Sequence, residues 1–185
     1  MSRLPYTHGN ALELLVDGKT TFGAIFSALE VAERYVLIQF FIIKDDGLGR
    51  DLHARLLRKA AEGVTIQVLY DEIGSHALPK SYVETLRAAG IAVSAFHTTR
   101  GRRNRFQLNF RNHRKIVVVD GRVAFVGGLN VGDEYLGLGP LGHWRDTHLR
   151  IEGPAVQALQ LIFATDWYWA TRRSARSGMA TDRGW

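Results

Sequence analysis

From Glu13 to Phe96 the chain alternates short apolar runs with stretches whose apolar residues recur at helical spacing, and this rhythm limits the available folds most sharply. The nine residues Tyr35 to Ile43 contain one strongly polar side chain, Gln39, the pattern of a strand covered on both faces. Val64 to Tyr70 and Ile91 to Phe96 read as further buried strands, and Glu13 to Val16 as a short one. Between them, Thr20 is placed to cap a helix reaching about Arg34, with Phe22, Ile25, Phe26 and Leu29 on its apolar face. A second helix runs from about Gly49 to Glu62 and stops at Gly63; a third opens at Pro79 and stops before Gly90. Such alternation predicts an α/β fold with a mixed, largely parallel central sheet flanked by helices.

At 185 residues, with 46% hydrophobic and 23% charged content, the chain suffices for a single domain, 1–185, with a sizeable core, and nothing in the composition argues for disorder. The absence of cysteine excludes disulfides and thiolate metal sites. The apolar run from Tyr35 to Ile43 is about half of the ~20 residues a spanning helix needs, and no signal peptide opens the sequence. The net charge of +6 and pI near 9.9 favour an anionic partner: nucleic acid, an acidic membrane surface or a phosphorylated substrate. Arg100, Arg102, Arg103, Arg105, Arg111 and Arg114 crowd one region, in and after a polar stretch from His97 to Asn109 that is expected to cross the mouth of a site. Arg172, Arg173 and Arg176 read as a solvated helix end.

The chemistry concentrates in Asn112 to Asp120 and in Gly127-Gly128-Leu129-Asn130. Alternation along a strand puts His113 and Lys115 on one face, with Arg111 joining them if the strand starts that early, and three nitrogen-bearing side chains together suit a phosphate. The β-branched run Ile116 to Val119 is a buried strand, so the polar pair belongs at its exposed end. Asp120-Gly121 predicts a two-residue turn joining Arg114 to Val119 and Arg122 to Val126 as a hairpin, which draws His113 and Asn130 together. Thr147 to Ile151 follows as a strand, and Pro154 starts a helix to about Ala170 with Val156, Leu159, Ile162, Phe163 and Trp167 inward. An unprotonated imidazole attacks phosphorus, and fixed donors stabilise the charge gathering on the equatorial oxygens; His113 suits the first task, Lys115, Asn130 and the Gly128 amide the second.

The spacing His-x-Lys-x4-Asp-x6-Gly-Gly-x-Asn resembles the signature of the phospholipase D superfamily, whose members work through a phosphohistidine. Phe125 to Asn130, Gly132 to Tyr135, Trp144 to His148 and Ile151 to Val156 add a likeness, from about Gly9 to about Thr171, to the amino-terminal catalytic half of bacterial cardiolipin synthases. The resemblance implies a phospholipase D-like fold forming one half of a pseudo-twofold pair. It implies that Lys115 and Asn130 bind the phosphate, that Asp120 supports the motif, and that Asp146 orients His113, with Glu134 and Asp133 as alternatives. No metal and no cofactor are expected. The implied reaction is phosphatidyl transfer between phospholipids, giving cardiolipin from phosphatidylglycerol with release of glycerol, and the implied partners are anionic phospholipid and a membrane surface. The expected location is peripheral, on a bacterial inner membrane, with any transmembrane segment outside this chain.

The resemblance also implies that one active site takes two such motifs, so a second histidine is expected from a missing carboxy-terminal half or an identical chain. The ending Met179 to Trp185 favours a truncated piece of a two-motif enzyme. Three other readings stand beside the leading one: a homodimeric single-motif phosphodiesterase acting on nucleic acid, a hydrolytic phospholipase D, and an inactive lipid-binding half. Gly137-x-Gly139-x-x-Gly142 is read as a loop, since Pro140 interrupts it and no strand–helix pair frames it. His143 and His148 lack metal-ligand spacing, and Trp144, Trp167, Tyr168 and Trp169 divide between core and lipid interface.

Overall fold

A computed structural model describes residues 7–96, 112–140, 142–172 and 175. The chain runs through β1 (Ala11–Val16), α1 (Asp17–Glu30), β2 (Tyr35–Phe40), α2 (Gly47–Ala61), β3 (Thr65–Asp71), α3 (Lys80–Ala88) and β4 (Ala92–Phe96). It continues with β5 (Ile116–Val119), β6 (Val123–Gly127), a 3-10 turn (Asp133–Leu136), β7 (Thr147–Glu152) and α4 (Ala155–Thr171). The seven strands make one sheet in the order β1-β7-β6-β5-β2-β3-β4.

The α/β class and the mixed sheet flanked by helices are as expected, but the parallel share is smaller. Only β2, β3 and β4 pair in parallel, through the crossovers α2 and α3, while β2–β5, β5–β6, β6–β7 and β7–β1 are antiparallel. A tight hairpin leaves β5 and β6 no other pairing, and the strands added beyond them keep alternating.

Helices α1, α2 and α3 cover one face of the sheet and α4 the other. Val117 and Val119 of β5 join the first core while Ile116 and Val118 join the second, which explains the unbroken β-branched run. Each such buried side chain contributes about 1.5–3 kcal/mol.

Element ends shift where side chains replace backbone partners. α1 begins at Asp17 and stops at Glu30, not Thr20 and Arg34; the segment expected to continue it is held instead by Asp120, whose carboxylate accepts from Glu33, Arg34 and Tyr35 N–H at 2.9, 2.8 and 2.8 Å. β2 stops at Phe40 because Ile42 N–H donates to Asn130 Oδ1 and Ile43 N–H to Ser75 Oγ, at 3.1 and 3.0 Å. That departure from the sheet sets up the site. The β5–β6 turn holds three residues, Asp120 to Arg122, one more than expected; Asp120 and Gly121 both take left-handed conformations, φ 54° and 68°. Glycine is needed at 121, where an added methyl would lie 2.6 Å from the Tyr35 hydroxyl.

Candidate active site

The candidate residues gather where the carboxyl ends of β2, β3 and β6 meet the amino ends of β5 and β7, the edge at which α/β sheets place ligands. His113, just before β5, is exposed, and its ring lies flat on Phe41, with centroids 3.9 Å apart and planes at 18°. Among the described residues neither of its ring nitrogens has a hydrogen-bond partner. Lys115 is only 8% exposed; its Nζ donates to the His113 carbonyl at 2.6 Å and sits 5.5 Å from the Phe41 ring centroid. Burial pulls the Lys115 pKa down, and the Asp146 carboxylate partly opposes it. The cation and the imidazole are therefore held together over one aromatic ring.

Asn130 is buried between two structural partners, its Oδ1 accepting from Ile42 N–H and its Nδ2 donating to the Tyr135 hydroxyl at 2.9 Å. One amide hydrogen remains for another acceptor. Gly128 contributes space rather than a free amide: its N–H donates to the Thr147 carbonyl at 3.1 Å, and a methyl group there would collide with the Asp146 carboxylate. The amide expected to bind phosphate is thus committed to extending the β6–β7 pairing. Asp146 accepts from Thr147 N–H at 2.7 Å and forms no hydrogen bond with His113, its electrostatic neighbours being Lys115, Tyr135 and His148. Glu134 pairs with Lys44 at 2.5 Å. Asp133 caps α2, accepting from Gly47 and Leu48 N–H at 3.0 and 2.7 Å, while Asp46 accepts from Asp133 N–H. Both alternatives to Asp146 are therefore occupied elsewhere.

Asp120 supports the fold from the far end of β5, roughly 20 Å along the strand from His113. The near end is clamped by two acids that sequence reading passed over. Asp166 of α4 accepts from Gln39 Nε2 and Asn112 Nδ2, each at 2.8 Å, and from Arg114 at 2.7 Å; Asp71 accepts from Asn112 N–H at 3.1 Å. The signal was present, since Asp166 lies at helical spacing from the inward Phe163 and Ala170, and a carboxylate on an apolar face needs partners. Phe41, Tyr135 and His148 were also missed as site residues. Arg111 lies outside the described residues, as do Arg100, Arg102, Arg103 and Arg105.

No cluster of metal-ligating side chains occurs among the described residues. A groove of about 740 Å³ lies at the other end of the sheet around Gly121, Arg122 and Val31, away from His113. Trp144 packs edge-on against Tyr135 and Trp167 is buried, whereas Tyr168 and Trp169 are exposed.

Residues 25–167 match the family model described as cardiolipin synthase, PLD-like domain. The chain belongs to this family. Cardiolipin synthase A of Pseudomonas putida is 61% identical over 174 residues, which are 94% of this chain and 36% of that protein. The chain therefore spans about a third of the length of the curated relatives it matches. NucT from Helicobacter pylori has the same fold, with a TM-score of 0.70 at 14% identity over 88% of this chain and 98% of that one. Phosphatidylserine synthase of Haemophilus influenzae gives 0.65 at 11% identity, covering 92% of this chain and 41% of that one. The cardiolipin synthase family and the phospholipase D-like fold agree with the sequence reading.

Proposed function

We propose that this chain carries one half of a phosphatidyltransferase active site that makes cardiolipin from phosphatidylglycerol. A ring nitrogen of His113 attacks the phosphodiester phosphorus, the bond to the glycerol oxygen breaks, and glycerol leaves with a proton supplied by the histidine of a second motif. A hydroxyl of another phosphatidylglycerol then attacks the phosphohistidine, gives its proton back to that second histidine, and releases cardiolipin and neutral His113. Lys115 and the spare Asn130 N–H offset charge on the equatorial oxygens.

The observation that carries this reading is the exposed His113 imidazole, free of hydrogen bonds among the described residues and stacked on Phe41 beside the Lys115 ammonium. Stacking fixes the ring plane without using either nitrogen, which leaves Asp146 as the acid to orient it once substrate draws the two together. The 61% identity to a cardiolipin synthase favours lipid over nucleic acid as the substrate. The second motif comes from the remaining length typical of such relatives or from another copy of this chain. No helix among the described residues is long and apolar enough to cross a membrane, and the proposed location is peripheral, on an anionic membrane surface.

The test uses phosphatidylglycerol vesicles and the chain, alone and joined to the carboxy-terminal remainder of the P. putida relative. Cardiolipin and glycerol in equal amounts are expected from the joined protein. Phosphatidic acid alone would assign hydrolysis, DNA cleavage without lipid turnover would assign a nuclease, and lipid binding without turnover by either form would leave an inactive half.

A further inference from the structure

Lys115, Gly127 and His148 lie side by side across β5, β6 and β7: Ile116 pairs with Val126, which sets Lys115 opposite Gly127, and Gly127 pairs with His148. Directly opposed residues project to the same face. Since Gly127 has no side chain, the lysine and the histidine face each other over a bare backbone. The imidazole lies against it, with Cγ and Nδ1 each 2.5 Å from where a methyl group at 127 would be. His148 is 2% exposed, its Nδ1 is buried without a hydrogen-bond partner, and burial holds its pKa down at about 4, so the ring is neutral. A buried polar nitrogen left unpaired costs about 1–3 kcal/mol, so the arrangement calls for a partner. Across the glycine, Lys115 has three N–H groups, one of them used on the His113 carbonyl.

We propose that His148 is a positioning residue for Lys115, its Nδ1 accepting an ammonium N–H across Gly127 so that the third N–H points at the bound phosphate. Rotation about the last bonds of the lysine side chain makes the contact. The neutral ring then fixes the cation without cancelling its charge, which a carboxylate in the same place would do. The charged and titratable groups around the pair are Asp146, just before β7, and His113, before β5; Tyr135 of the 3-10 turn neighbours Asp146, and Lys44 and Glu134 are paired with each other. The inference rests on the phosphate-binding role of Lys115 in the reading above.

The test reads Lys115 directly. With ε-13C-lysine the chain gives five signals, one for each lysine, and Lys115→Arg assigns the one of interest. An acceptor for the ammonium raises its pKa, so His148→Leu should lower the Lys115 pKa by about one unit and weaken inorganic phosphate binding about tenfold. His148→Gln, which restores an acceptor, should leave both close to the wild-type values. Thermal unfolding checks that each variant folds, and His148→Met replaces a Leu variant that does not. An unshifted Lys115 titration in the apolar variant, or a Gln variant that behaves like it, overturns the proposal. Because the titration needs no lipid turnover, an inactive wild-type protein would sink the transferase reading and leave this result standing.

Discussion

His148 and Asp120 are both buried or half-enclosed polar residues near the motif, yet they affect the protein in different ways. The His148 pKa in the folded chain, about 4, lies below its ordinary value of 6.5. As pH falls through this window the unfolded chain takes up the proton first, so stability present above about pH 6.5 is lost on the way down to about pH 4. The loss should be about 3 kcal/mol, and denaturant unfolding at several pH values should find it in the wild type and not in His148→Gln. Asp120→Asn leaves three amide donors with a weaker acceptor. It should cost about 1–3 kcal/mol in thermal unfolding while leaving the activity of the folded fraction unchanged, because the residue lies at the far end of β5. That His113, Lys115 and Asn130 gather at one edge of the sheet was legible because their spacing brackets a single hairpin. His148 was not: what gives it meaning is the bare glycine opposite, and a cross-strand register is not written in a linear sequence.

Strands and helices were legible where burial repeats with a fixed period, as in β2, β3, β5 and α2. They were misread where one side chain overrides the period, as when Asp120 holds the segment expected to continue α1, or Asn130 and Ser75 take the amides that would have extended β2. The parallel share was overestimated for a related reason, since apolar runs announce burial but not direction. Asp166 ties α4 to β2 and to the start of β5, through Gln39, Asn112 and Arg114. Asp166→Ala strands three donors and should cost about 3 kcal/mol, with kcat falling more than KM rises because the motif strand, not the phosphate contact, is loosened. Kinetics alongside thermal unfolding check this. Gly128→Ala forces the Asp146 carboxylate from its place and should lower activity at least tenfold with a smaller loss of stability.

At the scale of the molecule, α4 leaves part of its side of the sheet open among the described residues. Leu12 and Leu14 of the edge strand β1 are 65% and 63% exposed, on the face shared with their partners Ile151 and Leu149. Leu161, Tyr168 and Trp169 are exposed on α4 itself. An apolar surface of this kind suits a protein partner, and under the function proposed above that partner is the second motif-bearing half. Leu12→Glu with Leu14→Glu should weaken association with that half, measured by sedimentation, and lower transfer in proportion, without unfolding the chain. The central claim, that His113 is the nucleophile of this half-site, is tested most directly by trapping. The joined protein is mixed with phosphatidylglycerol radiolabelled in its phosphate, quenched in alkaline denaturant and mapped by peptide. The account predicts an acid-labile phosphatidyl group on His113 and none in His113→Asn, which also loses turnover; continued cardiolipin synthesis by His113→Asn would contradict it.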